Sequence, residues 1–566
     1  MCGILGGNNR NWNYEKGINS MIHRGPDGIR IHEFDNCTLA FARLSVIDLS
    51  ENGMQPMISD DGNVAVVFNG EIYGYQALRI QLQKMGYVFR STSDTEVILN
   101  TYLAWGKKFI NRLDGMFSIA IYDKRENVIR LYRDRLGIKP MYYYCVGDNF
   151  GFASELKGIV GMCDAERFEI DNTAIYDYLT YTYIPEPKTM YQSVFKLEPA
   201  HYLEYDLKYK KIRKKCSYWK LDINSTCQRM RDSVELQNEL KSLIGKAVKK
   251  QMVADVSVGT FLSGGIDSSI VTYEAHKINP QIESFTIGFD EKRYDESQYA
   301  ERFARQYNIS ITKENFNRNV FKKQYSMMQD WYDEPFADMS AFPTYLVSKI
   351  AREKTVVVLT GDGGDEVFGG YPRYTQLMRK DKEGCDNLLV SKISQLVAKY
   401  RDIDDLFLFL DDLGFLNSTY AEPLSKDDKL LKKKLGISKE YDKLWHMRKY
   451  YIKDLPPITR GQYLDLKTYL PGEVLTKVDR VSMAVSLETR VPLLAKEIVE
   501  FSFGLSQEER CPEGELKGLL KMTYLDVLGK QLTYRKKQGF SMPWEYISMK
   551  ESARENLLNN VWRNVV

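Results

Sequence analysis

The 566-residue sequence predicts an α/β multidomain protein whose second half is a doubly wound parallel sheet with a helical C-terminal part. Two strand-to-loop transitions and the segments between them carry that expectation. The first is the β-branched, apolar run Val256-Ser257-Val258-Gly259-Thr260-Phe261-Leu262, which empties into Ser263-Gly264-Gly265-Ile266-Asp267-Ser268-Ser269 and then into a stretch of helical composition, 268–276. The second is Thr355-Val356-Val357-Val358-Leu359-Thr360, followed by the glycine-rich acidic loop Gly361-Asp362-Gly363-Gly364-Asp365-Glu366. Between them a strand at 284–289 and a helix at 296–307 keep the alternation of strand and helix that a parallel sheet requires. A chain of this length exceeds one core, so the residues ahead of 236 are expected to fold separately.

The first half begins Met1-Cys2-Gly3-Ile4-Leu5-Gly6-Gly7. Removal of methionine before a small residue would expose Cys2 as the terminal residue. A terminal cysteine carries its own base, because an α-amine titrating near ~7.7–8.0 and a thiol near ~8.5 exchange a proton at little cost. Strands rich in Val, Ile, Phe and Tyr are predicted at 38–48, 63–68, 128–132 and 141–145, with helices at 77–85 and 95–103. Along them run His23-Arg24-Gly25-Pro26-Asp27-Gly28, Ala42-Arg43-Leu44-Ser45, Phe68-Asn69-Gly70-Glu71-Ile72-Tyr73, Ser93-Asp94-Thr95-Glu96 and Arg133-Asp134-Arg135-Leu136-Gly137-Ile138-Lys139-Pro140. This set resembles the class II glutamine amidotransferase domain. The resemblance implies an N-terminal-nucleophile (Ntn) hydrolase fold, an αββα sandwich of two antiparallel sheets between helix layers. It also implies that Cys2 attacks the side-chain amide of glutamine while Asn69 and Gly70 hold the oxyanion. Arg43 would then pair with the glutamine α-carboxylate and Asp94 with its α-ammonium, with Asn69 and Glu71 also in the glutamine site. Arg24 and Asp27 are given no catalytic step.

Residues 176–204, with three prolines at 185, 187 and 199, read as an extended closing segment. The basic run Lys208-Tyr209-Lys210-Lys211-Ile212-Arg213-Lys214-Lys215 reads as a solvated connector. The expected division is therefore 1–205, a connector at 206–235, and 236–566. From Leu236 the spacing Leu240, Leu243, Ile244, Ala247, Val248, Met252 is helical and delivers the chain into the first strand of the parallel sheet.

At the strand-to-helix turn, free backbone N–H groups and the helix dipole favour an anion. Gly264 and Gly265 allow close approach of phosphate oxygens, Ser263, Ser268 and Ser269 offer hydroxyls, and Asp267 can carry magnesium. The loop lacks the lysine of G-x-x-x-x-G-K-[ST] and the spacing of G-x-G-x-x-G, so neither γ-phosphate transfer nor dinucleotide binding is its natural reading. It resembles the SGGxDS loop of the PP-loop ATP pyrophosphatases, which cleave ATP between the α and β phosphates. ATP would then meet Leu262, the loop, Thr360 and Gly361. Asp267 and Asp365 would share magnesium, and Asp362 with Glu366 would face the acceptor.

With Asp333-Glu334-Pro335-Phe336-Ala337-Asp338, Thr476-Lys477-Val478-Asp479-Arg480-Val481-Ser482-Met483 and Leu487-Glu488-Thr489-Arg490-Val491-Pro492, nearly the whole chain resembles the glutamine-hydrolysing asparagine synthetase family. The resemblance implies that ammonia released from glutamine travels inside the protein to a β-aspartyl-AMP, giving asparagine, glutamate, AMP and pyrophosphate. Arg535-Lys536-Lys537-Gln538-Gly539-Phe540 is similar to the segment whose lysine neutralises the leaving pyrophosphate, here Lys537. Asp362 stands where some relatives have glutamate, and Ala495 where aspartate is common. Residues 380–455 look helical and match poorly. Relatives that amidate other carboxylates, such as surface-sugar uronic acids or peptidoglycan precursors, share every motif quoted.

Composition narrows the classes. With 43% hydrophobic and 27% charged residues the chain is an ordinary folded protein, and a net charge of +3 implies no nucleic-acid partner. No apolar run approaches ~20 residues and no leader pattern is evident, so no membrane partner and a cytoplasmic location are expected. The eight cysteines include no C-x-x-C pair, which argues against a zinc site or a disulfide framework. A tRNA-thiolating enzyme with the same loop would need further sulfur-carrying cysteines. A catalytically dead homologue would have lost Cys2, Asp267 or Lys537. Glutamine, ATP with Mg2+ and aspartate are the expected small molecules, and a homodimer is compatible with the sequence.

Overall fold

The computed structural model describes residues 1–223, 231–383, 428–536, 542, 543 and 546. In the first half, twelve strands are β1 (Gly3–Gly7), β2 (Gly28–Glu33), β3 (Thr38–Arg43), β4 (Met57–Ile58), β5 (Val64–Ile72), β6 (Gly115–Asp123), β7 (Val128–Arg133), β8 (Tyr142–Val146), β9 (Asn149–Ala153), β10 (Val194–Lys196), β11 (His201–Asp206) and β12 (Lys211–Ser217). They form two six-stranded antiparallel sheets, ordered β10-β8-β9-β1-β3-β2 and β12-β11-β7-β6-β5-β4. The period of two along each strand decides which side each residue serves. Ala65 and Val67 of β5 meet Ile4, Leu39 and Phe41 of the other sheet in the core between them. Val64, Val66 and Phe68 point the opposite way, onto the helices Tyr75–Lys84 and Asp94–Trp105. Leu5, Ala40 and Ala42 likewise back onto Ile18 and Ile159 of the helices Tyr14–Asn19 and Leu156–Met162. The layers are helix, sheet, sheet, helix, as the family resemblance implies.

The second half is built on five parallel strands, β13 (Val258–Phe261), β14 (Glu283–Phe289), β15 (Ser310–Phe316), β16 (Val357–Leu359) and β17 (Glu488–Arg490), in the order β15-β14-β13-β16-β17. Helix Ser233–Gln251, capped by Asp232, lays Leu236, Leu240, Ile244 and Val248 into a core shared with Ile270 and Val271 of helix Ile266–Ile278. Helix Ala341–Arg352 packs Phe342, Leu346 and Val347 into a second core with Phe285 and Ile287 of β14. The chain winds outward from β13 through β14 to β15 and then crosses to the other side for β16 and β17. That reversal opens a crevice at the carboxyl ends of β13 and β16, where both glycine-rich loops emerge.

Two sequence expectations are corrected. The segment 176–204 is not extended throughout. Helix Asn172–Tyr181 runs through its start, because the Asp171 side chain caps Thr173 N and Ala174, Ile175, Tyr178 and Leu179 are buried. The basic run is not a connector either: it forms the turn after β11 and most of β12, an edge strand whose lysines face water and discourage further pairing. Among the described residues no helix is long and apolar enough to cross a membrane.

Candidate active site

The first centre lies where β1 starts beside β5. The Cys2 backbone N donates to Asn69 Oδ1 at 3.0 Å, and the Cys2 Sγ sits 3.5 Å from Leu44 N. Because Oδ1 is engaged, the Asn69 amide is oriented with Nδ2 on its other side, and this buried Nδ2 has no hydrogen-bond partner among the described residues. A fixed, unpaired donor beside a nucleophile is what a developing oxyanion needs. Next to it Gly70 has φ +146°, and a Cβ there would lie 2.0 Å from Met116 O, so only glycine passes β6 at this point. Burial pushes the Cys2 thiol up, opposed by the terminal ammonium and by the Leu44 backbone.

The glutamine-site residues named from sequence gather around this centre, each with partners of its own. Arg43 donates through Nη1 to Ser50 O at 2.7 Å and through Nη2 to Asp48 O. Asp94 starts the helix capped by Ser93, and its Oδ2 accepts from Ile72 N at 2.9 Å. Burial pushes the Asp94 carboxyl up to about 6, against the pull of that amide. Glu71 reaches out of the first half: its Oε2 accepts from Arg490 Nη2 at 3.0 Å, and burial followed by the Asp94 charge holds its pKa well above the usual carboxylate range.

The second centre is a cavity of about 690 Å³ at the crevice. Leu262, Ser263, Gly265, Asp267, Ser268, Thr360, Gly361, Asp362, Asp365 and Glu366 all line it. The two loops are in contact, since a Cβ on Gly361 would lie 2.6 Å from Ser268 N and one on Gly364 2.5 Å from Asp267 Oδ1. Gly264 takes φ +76°, and its carbonyl is held by Arg535 Nη2 at 3.0 Å. Inside the loop, Ser263 and Ser268 share a hydroxyl hydrogen bond of 3.0 Å. The Ser269 hydroxyl is buried and has no partner among the described residues.

Asp267 and Asp365 come together on one cation, Lys517. Its Nζ is 2.7 Å from Asp365 Oδ1 and also pairs with Asp267 Oδ2. Burial disfavours the ammonium, yet the two carboxylates hold its pKa above the ordinary lysine value. Asp362 is half-buried near Lys477, whose Nζ bonds Ser340 Oγ at 2.9 Å and pairs with Asp338 at 3.2 Å. Glu366 accepts from Tyr371 OH at 2.7 Å and is pushed up to about 7 by burial and by Asp365. Lys537 lies outside the described residues.

Sequence reasoning gave no role to Lys517, Lys477, Glu488 or Arg490. For Lys517 the signal is conformational, a lysine at φ +57°, which is uncommon for a residue with a Cβ and is invisible before folding. Lys477 lies on helix Leu475–Met483, whose one face lines the cavity through Lys477 and Val478 while its next turn meets the first half through Asp479 and Arg480. One helix thus lines the cavity and reaches the first centre through Arg24, which bonds Cys2 O. Ala495 stands at the start of helix Lys496–Gly504 without a side-chain cap, consistent with the missing aspartate.

Comparison with known proteins adds the following. A family model described as asparagine synthase matches residues 239–562, and one described as glutamine amidotransferase domain matches residues 1–219. The chain is 39% identical over 494 residues to a Methanocaldococcus jannaschii protein provisionally named asparagine synthetase (glutamine-hydrolyzing) 2, covering 81% of this chain and 93% of that protein. It is 32% identical over 542 residues to asparagine synthetase (glutamine-hydrolyzing) 1 of Bacillus subtilis (strain 168), covering 93% of this chain and 83% of that protein.

Proposed function

The chain belongs to the asparagine synthase family, and from that premise we propose that it makes asparagine from aspartate, ATP and glutamine, releasing glutamate, AMP and pyrophosphate. The observation that carries the reading is the coexistence in one chain of an Asn69 amide poised beside Cys2 and a phosphate-loop crevice whose acidic partner loop touches it.

In the first centre the Cys2 sulfur attacks the glutamine amide carbon while its proton passes to the α-amine of the processed chain. Asn69 Nδ2 and the backbone N–H at Gly70 receive the oxyanion, and the amine returns a proton to the departing nitrogen, which leaves as ammonia; water then cleaves the Cys2 thioester to glutamate and the free thiol. Arg43 and Asp94 orient the substrate through its α-carboxylate and α-ammonium, with Glu71 beside them. In the second centre ATP lies with its phosphates over Ser263 to Ser269 and its adenine against the apolar wall of Phe285, Ile287 and Val347. Asp267 and Asp365 are close enough to share one cation, as their joint hold on Lys517 shows, and an all-oxygen pair suits Mg2+ that keeps phosphate and water as its other ligands. They would hold the magnesium that accompanies ATP, whose charge offsets that of the pyrophosphate. The aspartate side-chain carboxylate attacks the α-phosphorus and pyrophosphate leaves beside Lys517, with Lys537 assigned as a second cation on the family resemblance alone; ammonia then attacks the acyl carbon and AMP leaves, while Asp362 and Glu366 face the acceptor. The two activities divide along the chain after β12, which closes the first-half sheet at Ser217, with the hand-over between it and the helix Ser233–Gln251. A cytoplasmic location accompanies this reading, and a homodimer is compatible with it.

The test supplies aspartate labelled with heavy oxygen in its side-chain carboxylate, together with ATP, magnesium and glutamine. AMP and asparagine in equal amounts, with label in AMP, are expected. ADP in place of AMP, or AMP release independent of aspartate, overturns the reading.

A further inference from the structure

Strand β17 contributes two charged side chains, Glu488 and Arg490, which lie two residues apart and therefore on one face of the strand. That face looks into the first half. Glu488 Oε2 lies 2.6 Å from the ammonium of Met1, with both groups buried, and Glu488 Oε1 accepts from Arg490 Nε at 2.7 Å. Arg490 is itself locked, donating to Gln251 O at 2.7 Å, Val253 O at 2.6 Å and Glu71 Oε2 at 3.0 Å. The carboxylate therefore cannot swing away without breaking a bond to a fixed guanidinium. The Met1 ammonium, one residue ahead of Cys2, thus reaches Glu488, and the Met1 sulfur lies against Lys139 Nζ. Cys2 N, already bonded to Asn69 Oδ1, is one residue from the ammonium that Glu488 neutralises. Once Met1 is removed, the buried positive charge moves to Cys2 N, and Glu488 is the carboxylate that loses its ammonium partner.

We propose that Glu488, carried by the sheet of the synthetase half, is a positioning residue of the glutaminase centre that holds the α-amine of Cys2 in the processed chain. The proposal rests on Cys2 being the nucleophile. During attack the thiol proton moves to the amine as the C–S bond forms. The resulting ammonium then gives a proton to the amide nitrogen as the C–N bond breaks, leaving ammonia, a thioester and a neutral amine. The ammonium exists only in the middle of this sequence, and a fixed carboxylate beside it stabilises that stage. The other charged groups about the amine are the Cys2 thiol, Arg24, whose Nε donates to Cys2 O at 3.2 Å, Arg43 at the end of β3, Glu71 on β5, Asp94 at the start of its helix, Lys139 ahead of β8, and Arg490. Glu71 is bonded to Arg490 and Asp94 to Ile72 N, so neither replaces Glu488 at the terminus. The synthetase half thereby completes the glutaminase site, which ties ammonia release to a properly docked synthetase domain.

The experiment uses the full chain, with loss of Met1 verified by intact mass, and compares Glu488→Gln with wild type. Without the counter-charge the amine is easier to deprotonate. The acid limb of kcat/KM for glutamine hydrolysis is therefore expected to move to lower pH by about one unit or more, while kcat falls at least about tenfold. Ammonium-dependent synthesis, read at the same time, reports the fold. Should Glu488→Gln lose that activity as well, Glu488→Asp carries the test, with a smaller shift in the same direction because its carboxylate is one methylene further away. An unmoved acid limb in a variant that still uses ammonium overturns the proposal. Cys2→Ala separates this from failure of the underlying reading: glutamine hydrolysis surviving in Cys2→Ala removes the nucleophile itself, whereas a dead Cys2→Ala beside an unshifted Glu488 variant removes only the role of Glu488.

Discussion

Arg24 of the first half and Asp479 of the second are joined by two parallel hydrogen bonds, Nη1 to Oδ2 at 2.8 Å and Nη2 to Oδ1 at 3.1 Å, with both side chains buried. The same guanidinium donates through Nε to Cys2 O at 3.2 Å and through Nη1 to Glu155 Oε1 at 2.7 Å. Arg24 thus has a physical task, carrying the domain interface to the backbone of the nucleophile. Around it Arg480 pairs with Glu155 at 2.9 Å and with Asp333 at 3.1 Å, so the interface is a network of charges rather than one bridge.

Removing one partner of such a buried pair leaves the other charge unpaired, which costs about 3–5 kcal/mol. Asp479→Ala is therefore expected to lower stability by that amount in denaturant unfolding and to depress glutamine hydrolysis together with glutamine-dependent synthesis. A variant as stable as wild type would show that the bridge contributes nothing net.

The unpaired Asn69 Nδ2 makes a separate prediction, because a donor aimed at the oxyanion is felt only in the transition state. Asn69→Ala should lower kcat for glutamine hydrolysis by about 10²–10³-fold with little change in KM, and leave ammonium-dependent synthesis intact. A change confined to KM would place Asn69 in ground-state binding instead.

Asp94 supplies a pH dependence. Its carboxyl is pushed up to about 6 by burial, so it is ionised above that pH and neutral below it, and only the ionised form attracts the glutamine α-ammonium. In a Cys2→Ala background, where no turnover interferes, the calorimetric Kd for glutamine should rise about tenfold per unit as pH falls below about 6. Asp94→Asn should bind weakly at every pH; a flat profile in the Asp94-containing protein would exclude this carboxylate from the site.

What could be read before folding follows from where the information lies in the chain. Ser263 to Ser269 was legible as a phosphate loop because glycine, hydroxyls and a flanking β-branched strand are all local. The adjacency of that loop to Gly361–Glu366 followed from the strand-order rule for such sheets. Lys517 was not legible, since its partners lie 250 and 152 residues earlier, and only the docking of its loop over the crevice places it there. Glu488 and Arg490 were visible as a motif without a role, because their partner is the other domain. The basic run misled because the alternation in Lys211 to Ser217 is mostly between polar residues, the pattern of an edge strand whose neighbour supplies the apolar face.

Lys517 holds Asp267 and Asp365 together in the structure and faces the phosphates in the proposed reaction. Lys517→Met keeps the aliphatic stem and removes the charge. It should suppress aspartate-dependent pyrophosphate release by at least about tenfold while leaving glutamine hydrolysis unchanged. Asp267→Asn should show the same separation, with a raised magnesium requirement. Equal loss of both activities in Lys517→Met would mean that it acts through the fold.

The acceptor is tested at Glu366. Its carboxylate lies 2.7 Å from Tyr371 OH in a buried corner of the cavity, next to the loop that touches the phosphate cradle. Free aspartate carries an α-ammonium that such a carboxylate can pair with, whereas a uronic acid carries none. Glu366→Gln keeps the shape and the hydrogen bond from Tyr371 while removing the charge. It should raise KM for aspartate by about tenfold or more and alter KM for ATP far less, because a hydrogen-bonded ion pair contributes roughly 1.5–3 kcal/mol and ATP does not share it. Supplying the aspartate homologue that lacks the α-amino group, succinate, gives the complementary reading. Wild type should discriminate strongly against succinate and Glu366→Gln should discriminate much less. Equal preference in both proteins would assign recognition of the ammonium to Asp362 or to a residue outside the acidic loop.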